Sequence, residues 1–332
     1  MERRTYAALH LSGSLSRHEL DLLRASGDIE CTLRSRPDFI SATKYQRIVS
    51  GFRTTLEQLE QGADFITLLD DYYPPMLSNI SSAPPVLFFK GDITLLSELL
   101  SVSIVGARKA DAYGRTVARS ISRELAHAGL VVVSGLAMGV DSEAHRGAIE
   151  ANGKTVAVMG SGLDKPYPAC NSALFGEIVR KGCVISEFPP GTKPAKQNFP
   201  RRNRVIAGLS RAVMVVQASI ESGSLITARF AAEYGRDVFA VPGDINRKNS
   251  EGTNWLLKNG AKTVTEVTDI LEEYPELNIP SRSNADTVSS RVLEILAEGP
   301  ADFSNLLAMT GLSRDDLFVE LTDLQLLGKV KE

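Results

Sequence analysis

From Ser101 onward, short apolar runs rich in β-branched residues alternate with longer stretches whose apolar residues recur every three to four positions. The runs are SVSIVG (101–106), LVVVSG (130–135), TVAVMG (155–160), CVISEF (183–188), AVMVVQ (212–217) and VFAVPG (238–243). Each is apolar almost throughout, as strands buried on both faces are. Between them Val117, Ile121 and Leu125 fall four apart, and Leu174 and Ile178 repeat that spacing, so the intervening segments are helices with one buried stripe. Strand alternating with helix predicts an α/β fold, a doubly wound, mostly parallel Rossmann-like sheet with helices on both faces.

The two ends carry other patterns. Residues 1 to about 65 hold no β-rich run and show paired leucines (Leu20 and Leu23, Leu56 and Leu59), which predicts a small helical domain over residues 1–67. The connector DDYYPPMLSNISSAPPVLFF follows, and its prolines disfavour helix and hold the chain extended. The predicted Rossmann domain covers residues 68–275, and Pro, Ser and Asn mark a linker at 276–286. Residues 287–332 read as three helical segments and a strand stub, a winged-helix-like domain with a short wing; Ser313 and Asp316 are spaced to cap the last helix.

Composition and charge narrow the function. The 332 residues are 43% hydrophobic and 23% charged, an ordinary soluble composition. No apolar run approaches the roughly 20 residues of a membrane span, and the N-terminus lacks a signal-peptide core. A cytoplasmic protein without a membrane partner is expected. Cys31, Cys170 and Cys183 are too few and too scattered for a disulfide framework or a zinc site. A net charge of -3 excludes a protein coated in basic surface for wrapping duplex DNA, so any polyanion site must be local.

Four glycine-rich turns follow predicted strands: GARKADAYG (106–114), SGLAMGVD (134–141), GSGLDKPYP (160–168) and ESGSLITAR (221–229). Such turns leave backbone N–H groups free beside helix N-termini, and the carboxyl edge of the sheet gathers them into a phosphate-binding rim. One such turn alone is ordinary strand-to-helix geometry; four on one edge are not. The turns supply Arg108, Lys109, Ser134, Gly135, Gly160, Lys165, Ser222, Gly223 and Ser224 as candidate contacts. GARKADAYG and GSGLDK lack the third glycine of a dinucleotide fingerprint, and GAIEANGKT (147–155) has the wrong spacing and precedes its strand, so it is no P-loop. Gly153 reads there as a helix C-cap. In VDSEAH, Glu143 and His145 are two apart and cannot share a helix face; Asp141 reads as an N-cap and His145 as a structural residue facing the sheet. No catalytic constellation, metal set or cofactor is expected.

FPRRNRVIAGLSR (199–211) holds four arginines in thirteen residues, and no acidic residue occurs between Glu187 and Glu221, where Lys193, Lys196, Arg201, Arg202, Arg204 and Arg211 lie. A solvated helix face interleaves signs; this stretch does not. The preceding PPGTKPAKQNFP is too proline-rich for a helix and predicts a long loop over the carboxyl edge. Its Lys196, Arg201, Arg202 and Arg204, with Arg108, would neutralise successive phosphates, Asn203 would join them, and Phe199, Tyr167 and Phe188 would stack bases. Arg211 is the first candidate to pair inside the fold instead. A single-stranded nucleic acid fits one local basic stripe better than a duplex does.

The motifs SIVGARKADAYG, SGLAMGVDSEAH, TVAVMGSGLDKPYP, SEFPPGTKPAKQNFPRRNRVIAGLS, ESGSLITARFAAEYGRDVFAVPGD and GTNWLLKNGA resemble, in order, those of the DNA-processing protein A family (DprA, also called Smf). The resemblance spans about residues 68–275. It implies an extended Rossmann domain that binds single-stranded DNA without sequence preference, protects incoming DNA in natural transformation, loads the RecA recombinase, forms homodimers and is not an enzyme. The family's G-x-R arginine falls on Arg108, its FPxRNRxIAGLS motif on Phe199–Ser210, and its SGS turn on Ser222, Gly223 and Ser224. YPACNSAL (167–174) lacks the basic residue the family often carries there, with Lys165 as a substitute. In the N-terminal region, which resembles the family's sterile-alpha-motif-like domain, SGSLSRHEL replaces the usual glycine-bounded turn. Trp255 would anchor the dimer face or sit in the core. Residues 285–332 hold nine acidic and four basic side chains, a balance suited to protein contacts and not to DNA. The rival reading is a Rossmann-fold nucleotide phosphoribohydrolase, whose PGGxGTxxE signature places a catalytic glutamate; SGSLITARF has none.

Overall fold

A computed structural model describes residues 3–27, 34, 36–60, 62, 64–96, 100–274, 292–293, 295–297, 299–311, 314, 317–318, 321, 324–325 and 330. Helices α1 (Arg3–Gly13), α2 (Arg17–Ala25) and α3 (Ala42–Glu60) open the chain. At the start of α2 the Ser16 hydroxyl accepts from the Glu19 N–H, and the Glu19 carboxylate takes the Ser16 N–H at 2.7 Å, a capping box that satisfies two otherwise orphaned donors. Lys44 Nζ, 2.7 Å from the same carboxylate, ties α2 to α3. Tyr6, Leu9, Leu20, Leu23 and Ile48 close a small core, while Ala7 and Ala8 on another side of α1 pack with Phe65 and Phe88 of the sheet. The helical segment and the sheet thereby form one compact unit, Met1–Tyr274.

β1 (Phe65–Thr67) closes the stretch 1–67 expected to be wholly helical, and the proline-rich connector after it holds the single-turn α4 (Pro75–Ser78) and leads into β2 (Val86–Gly91). Its prolines flank these elements, and Pro75 occupies a first-turn position where no N–H is required. All six predicted strands follow: β3 (Ser101–Val105), α5 (Ala112–His127), β4 (Val131–Ser134), α6 (Val140–Glu150), β5 (Thr155–Met159), α7 (Ser172–Lys181), β6 (Cys183–Ser186), α8 (Asn198–Leu209), β7 (Ala212–Val215), α9 (Gly223–Glu233), β8 (Asp237–Ala240), α10 (Lys248–Lys258), β9 (Lys262–Thr263) and α11 (Thr268–Leu271). The nine strands order as β1-β2-β6-β5-β4-β3-β7-β8-β9. β3 to β9 are parallel, whereas β2 runs antiparallel to both β1 and β6. Alternation sorts the core: Val156 and Val158 of β5 face the layer of Val205, Ile206 and Ala228, and Ala157 and Met159 face that of Leu174 and Ile178.

α6 ends differently from the expectation. Asn152, not Gly153, takes the left-handed conformation (φ 53°), with its N–H on Ile149 O and the Gly153 N–H on Ala148 O, a Schellman ending. Gly153 is required for another reason, since a Cβ there would lie 2.6 Å from Ala126 Cβ.

Pro275–Glu332 form a second unit. Its α12 (Phe303–Thr310) is capped by Asp302, which accepts from the Asn305 N–H at 2.8 Å, and Val292, Leu306, Leu317 and Leu324 are buried together. The linker 276–286, the pair Ser313 and Asp316, and most of the strand stub lie outside the described residues, and the described ones do not establish a winged helix. Among the described residues no helix is long and apolar enough to cross a membrane.

Candidate nucleic-acid interface

Strand order reverses between β3 and β7, the place where open α/β sheets hold ligands. The turn leaving β3 is locked to β7 by Gln217, whose Nε2 donates to Asp111 Oδ1 at 3.0 Å, while the same carboxylate oxygen caps α5 through the Gly114 N–H at 3.0 Å. On the opposite side Asn203 of α8 donates to Gly223 O at 3.0 Å, fixing the turn that enters α9. These turns and α8 enclose a cavity of about 450 Å³.

Its floor is Arg202. This arginine is 5% exposed; its Nη1 donates to Gly135 O at 2.6 Å and to Val158 O, and its Nε to Asn203 Oδ1 at 3.1 Å. Burial lowers its pKa to about 10, against the opposing pull of Asp141. Asp141 is buried alongside, with its pKa raised by burial and held down by Arg202. Gly135 makes the arrangement possible: a Cβ there would sit 2.5 Å from Arg202 Nη1 and 2.7 Å from Asp141 Oδ2. Asp141 is therefore not the expected N-cap. It lies inside α6, whose N-cap is Gly139, and its carboxylate faces the cavity.

The walls carry the free polar groups. Arg108 and Lys196 are exposed and line the cavity. The N-terminus of α9 opens onto it with Ser222, Gly223 and Ser224, and the buried Thr227 hydroxyl in its first turns lines the space without a hydrogen-bond partner. The Gly223 N–H, an unused hydroxyl and two cations suit an oxyanion. At the mouth the Phe199 ring has the Arg108 guanidinium 4.9 Å from its centroid and the Tyr167 ring at 5.8 Å and 31°. Tyr167 and Met138 stand exposed next to it, an apolar platform beside the cations.

Other sequence candidates sit elsewhere. Gly160 backs the platform, where a Cβ would come within 3.0 Å of Phe199 Cδ1. Ser134 is buried and spends its hydroxyl on Ile104 O at 2.6 Å. Lys109 and Lys165 are exposed and do not line the cavity. The arginine stretch is not the expected loop: the loop ends at Gln197 and α8 begins at Asn198, with Pro200 in its first turn. Helical periodicity then splits the cations. Phe199, Arg202 and Asn203 face the cavity, while Arg201 and Arg204 share another face and meet Glu187, Arg201 Nε lying 3.0 Å from Glu187 Oε2. Arg211 lies with its guanidinium 5.9 Å from the Tyr274 ring centroid. Asp141, Thr227 and Gln217 were missed by sequence reasoning; a polar residue closing an apolar strand, as Gln217 does, is the one signal that pointed to any of them.

His145 is a structural residue. It is fully buried, and because the Thr155 hydroxyl donates to Val132 O, His145 Nδ1–H must donate to Thr155 Oγ1 at 2.7 Å, leaving Nε2 as a bare, unpartnered acceptor. Burial, with Arg202 and Arg146 adding repulsion, lowers its pKa from 6.5 to about 3. Below pH 6.5 the unfolded imidazole takes up a proton that the folded one refuses, so stability falls as pH drops from 6.5 toward 3, by up to about 1.4 kcal/mol per pH unit. Urea midpoints at pH 7.5, 6 and 5 are expected to decline more steeply in the wild type than in His145→Asn. Glu143 is also structural, ion-paired to Arg146 at 2.6 Å and Arg119 at 3.5 Å. Among the described residues no His, Cys, Asp and Glu cluster could hold a metal ion.

Comparison with known proteins follows the same geography. Residues 64–275 match the family model described as DNA recombination-mediator protein A. The chain is 43% identical over 236 residues to the DNA processing protein DprA of Bacillus subtilis, covering 71% of this chain and 77% of that one. Against DprA of Streptococcus pneumoniae it is 46% identical over 208 residues, 63% and 73% of the two chains. The X-ray structure of the S. pneumoniae protein matches with a TM-score of 0.73 at 38% identity, covering 82% of this chain and 99% of that one. DNA processing protein A from Helicobacter pylori, described for its single-stranded DNA binding mode, matches with a TM-score of 0.59 at 32% identity over 64% of this chain and 97% of that one.

Proposed function

This chain belongs to the DNA recombination-mediator protein A family, and from that premise we propose that it binds single-stranded DNA without sequence preference through the switch-point cavity. The observation that carries the proposal is Phe199, beside Arg108 and Tyr167 at the mouth of a cavity whose free cations are Arg108 and Lys196. Every base has a face to stack, so an aromatic platform beside phosphate-seeking cations binds single strands and ignores sequence. Arg108 and Lys196 take phosphates, the start of α9 offers the Gly223 N–H and the Thr227 hydroxyl, and Arg202 holds the floor. The duplex would keep its bases from the platform.

The protein acts by occupancy and handover, without covalent chemistry. It protects incoming single strands in natural transformation and passes them to the RecA recombinase. It works as a homodimer: Trp255, 50% exposed, lines an apolar groove of about 770 Å³ with Ile226 and Leu256, and Ile220 beside it is 51% exposed, a surface that a second copy would cover. The acidic C-terminal unit contacts protein and not DNA.

Fluorescence anisotropy with a labelled single strand and its matched duplex tests the reading. Single-strand affinity at least about tenfold above duplex affinity is expected. Equal affinities, or release of free base from a nucleoside monophosphate incubated with the protein, would overturn it.

A further inference from the structure

On the far side of α8 lies a second cavity of about 460 Å³, bounded by the α1–α2 turn and the Ser81–Pro85 segment. We propose that it is a second phosphate station for the same single strand, with Arg201 and Arg17 as its contacts; this rests on the single-strand reading above.

Arg201 is presented for the task. Its Nε lies 3.0 Å from Glu187 Oε2, its guanidinium rests 5.4 Å from the centroid of the Phe188 ring, and its side chain is 53% exposed. One edge and one face are thus fixed, while its two Nη groups make no hydrogen bond to the described residues and line the cavity. A guanidinium clamped in plane gives up little further freedom when it forks onto a phosphate. Glu187, 3% exposed, serves Arg201 and Arg204 together, and Arg204 is turned inward onto Ser82 O. One buried carboxylate against two arginines leaves an excess positive charge; Arg17, half exposed on the opposite wall, donates from Nη1 to Ser78 O at 2.8 Å and has Asp21 Oδ2 3.9 Å from its Nε, so its charge is partly offset. Ser14, Ser16 and Ser82 supply further polar lining.

The two cavities flank the same helical turn. Lys196, Phe199 and Pro200 line the first, and Arg201, one residue on, lines the second. A strand stacked on Phe199 reaches Arg201 by crossing Pro200, and the N-terminal helices become part of the DNA path.

Full-length wild type, Arg17→Glu and Arg201→Gln are compared by anisotropy on single strands of about 4 and about 20 nucleotides, the short one filling the switch-point cavity alone. On the long strand each substitution is expected to weaken binding roughly five- to tenfold and to reduce the slope of log affinity against log salt by about 0.7. On the short strand Arg17→Glu should match wild type. Wild type that binds neither strand overturns the single-strand reading itself. Wild type that binds both, with long-strand affinity and slope unchanged in the two variants, overturns the second station alone, as does an equal loss on both lengths in Arg17→Glu. Should Arg17→Glu unfold, the exposed Arg201→Gln decides.

Discussion

Reversing the charge of Arg108 and Lys196 together is expected to weaken single-strand binding by at least about a hundredfold, since each charge-assisted contact contributes about 1.5–3 kcal/mol and reversal adds repulsion. Both side chains are exposed and line the cavity, so the loss should come with little change in stability, within about 0.5–1 kcal/mol in urea denaturation. Arg108 also supports the Phe199 ring, so Arg108→Glu alone should cost more than Lys196→Glu alone. A double variant that binds within threefold of wild type would remove the cavity from the DNA path.

Replacing Arg202 is expected to have the opposite signature. Arg202→Ala leaves Gly135 O and Val158 O without their donor and Asp141 buried without its neighbouring positive charge. Breaking such a buried arrangement from one side costs about 3–5 kcal/mol. Urea denaturation should show that loss in Arg202→Ala, and a smaller one when Asp141→Asn is added, because the uncompensated charge is then gone. An Arg202→Ala variant as stable as wild type would contradict the assignment of Arg202 to the floor. The pair of experiments separates two arginines that look alike in sequence: one meets the ligand, and the other holds the turns that do.

That distinction marks how far the sequence could be read. The parallel strands β3 to β8 were legible because burial on both faces forces unbroken apolar runs such as TVAVMG, whereas the two-residue β9 (Lys262–Thr263) has no such run. β1 was not legible, because three residues at the end of a helical stretch carry no strand signal, and β2 was not, because the prolines before it suggested an extended connector and its pairing depends on β6, about a hundred residues away. The glycine-rich turns and the position of Phe199 and Lys196 on the carboxyl edge could be read from order alone. The division of labour among Arg201, Arg202 and Arg204 could not. Pro200 argued for loop, yet proline is tolerated in a first helical turn, and once the stretch is helical its side chains point to different faces. The fate of Glu187 followed from the same error, since a carboxylate closing a strand gave no sign of which arginines would meet it. Thr227 was hidden for a simpler reason: a threonine in a helix is commonplace until its hydroxyl is seen buried without a partner.

The salt dependence of single-strand affinity tests the central claim most directly. If about three to five phosphates are neutralised per protomer, log affinity should fall linearly with log salt concentration at a slope of roughly -2 to -4, and the Arg108→Glu, Lys196→Glu variant should be distinctly flatter. A flat response in the wild type would contradict an interface built on phosphate contacts.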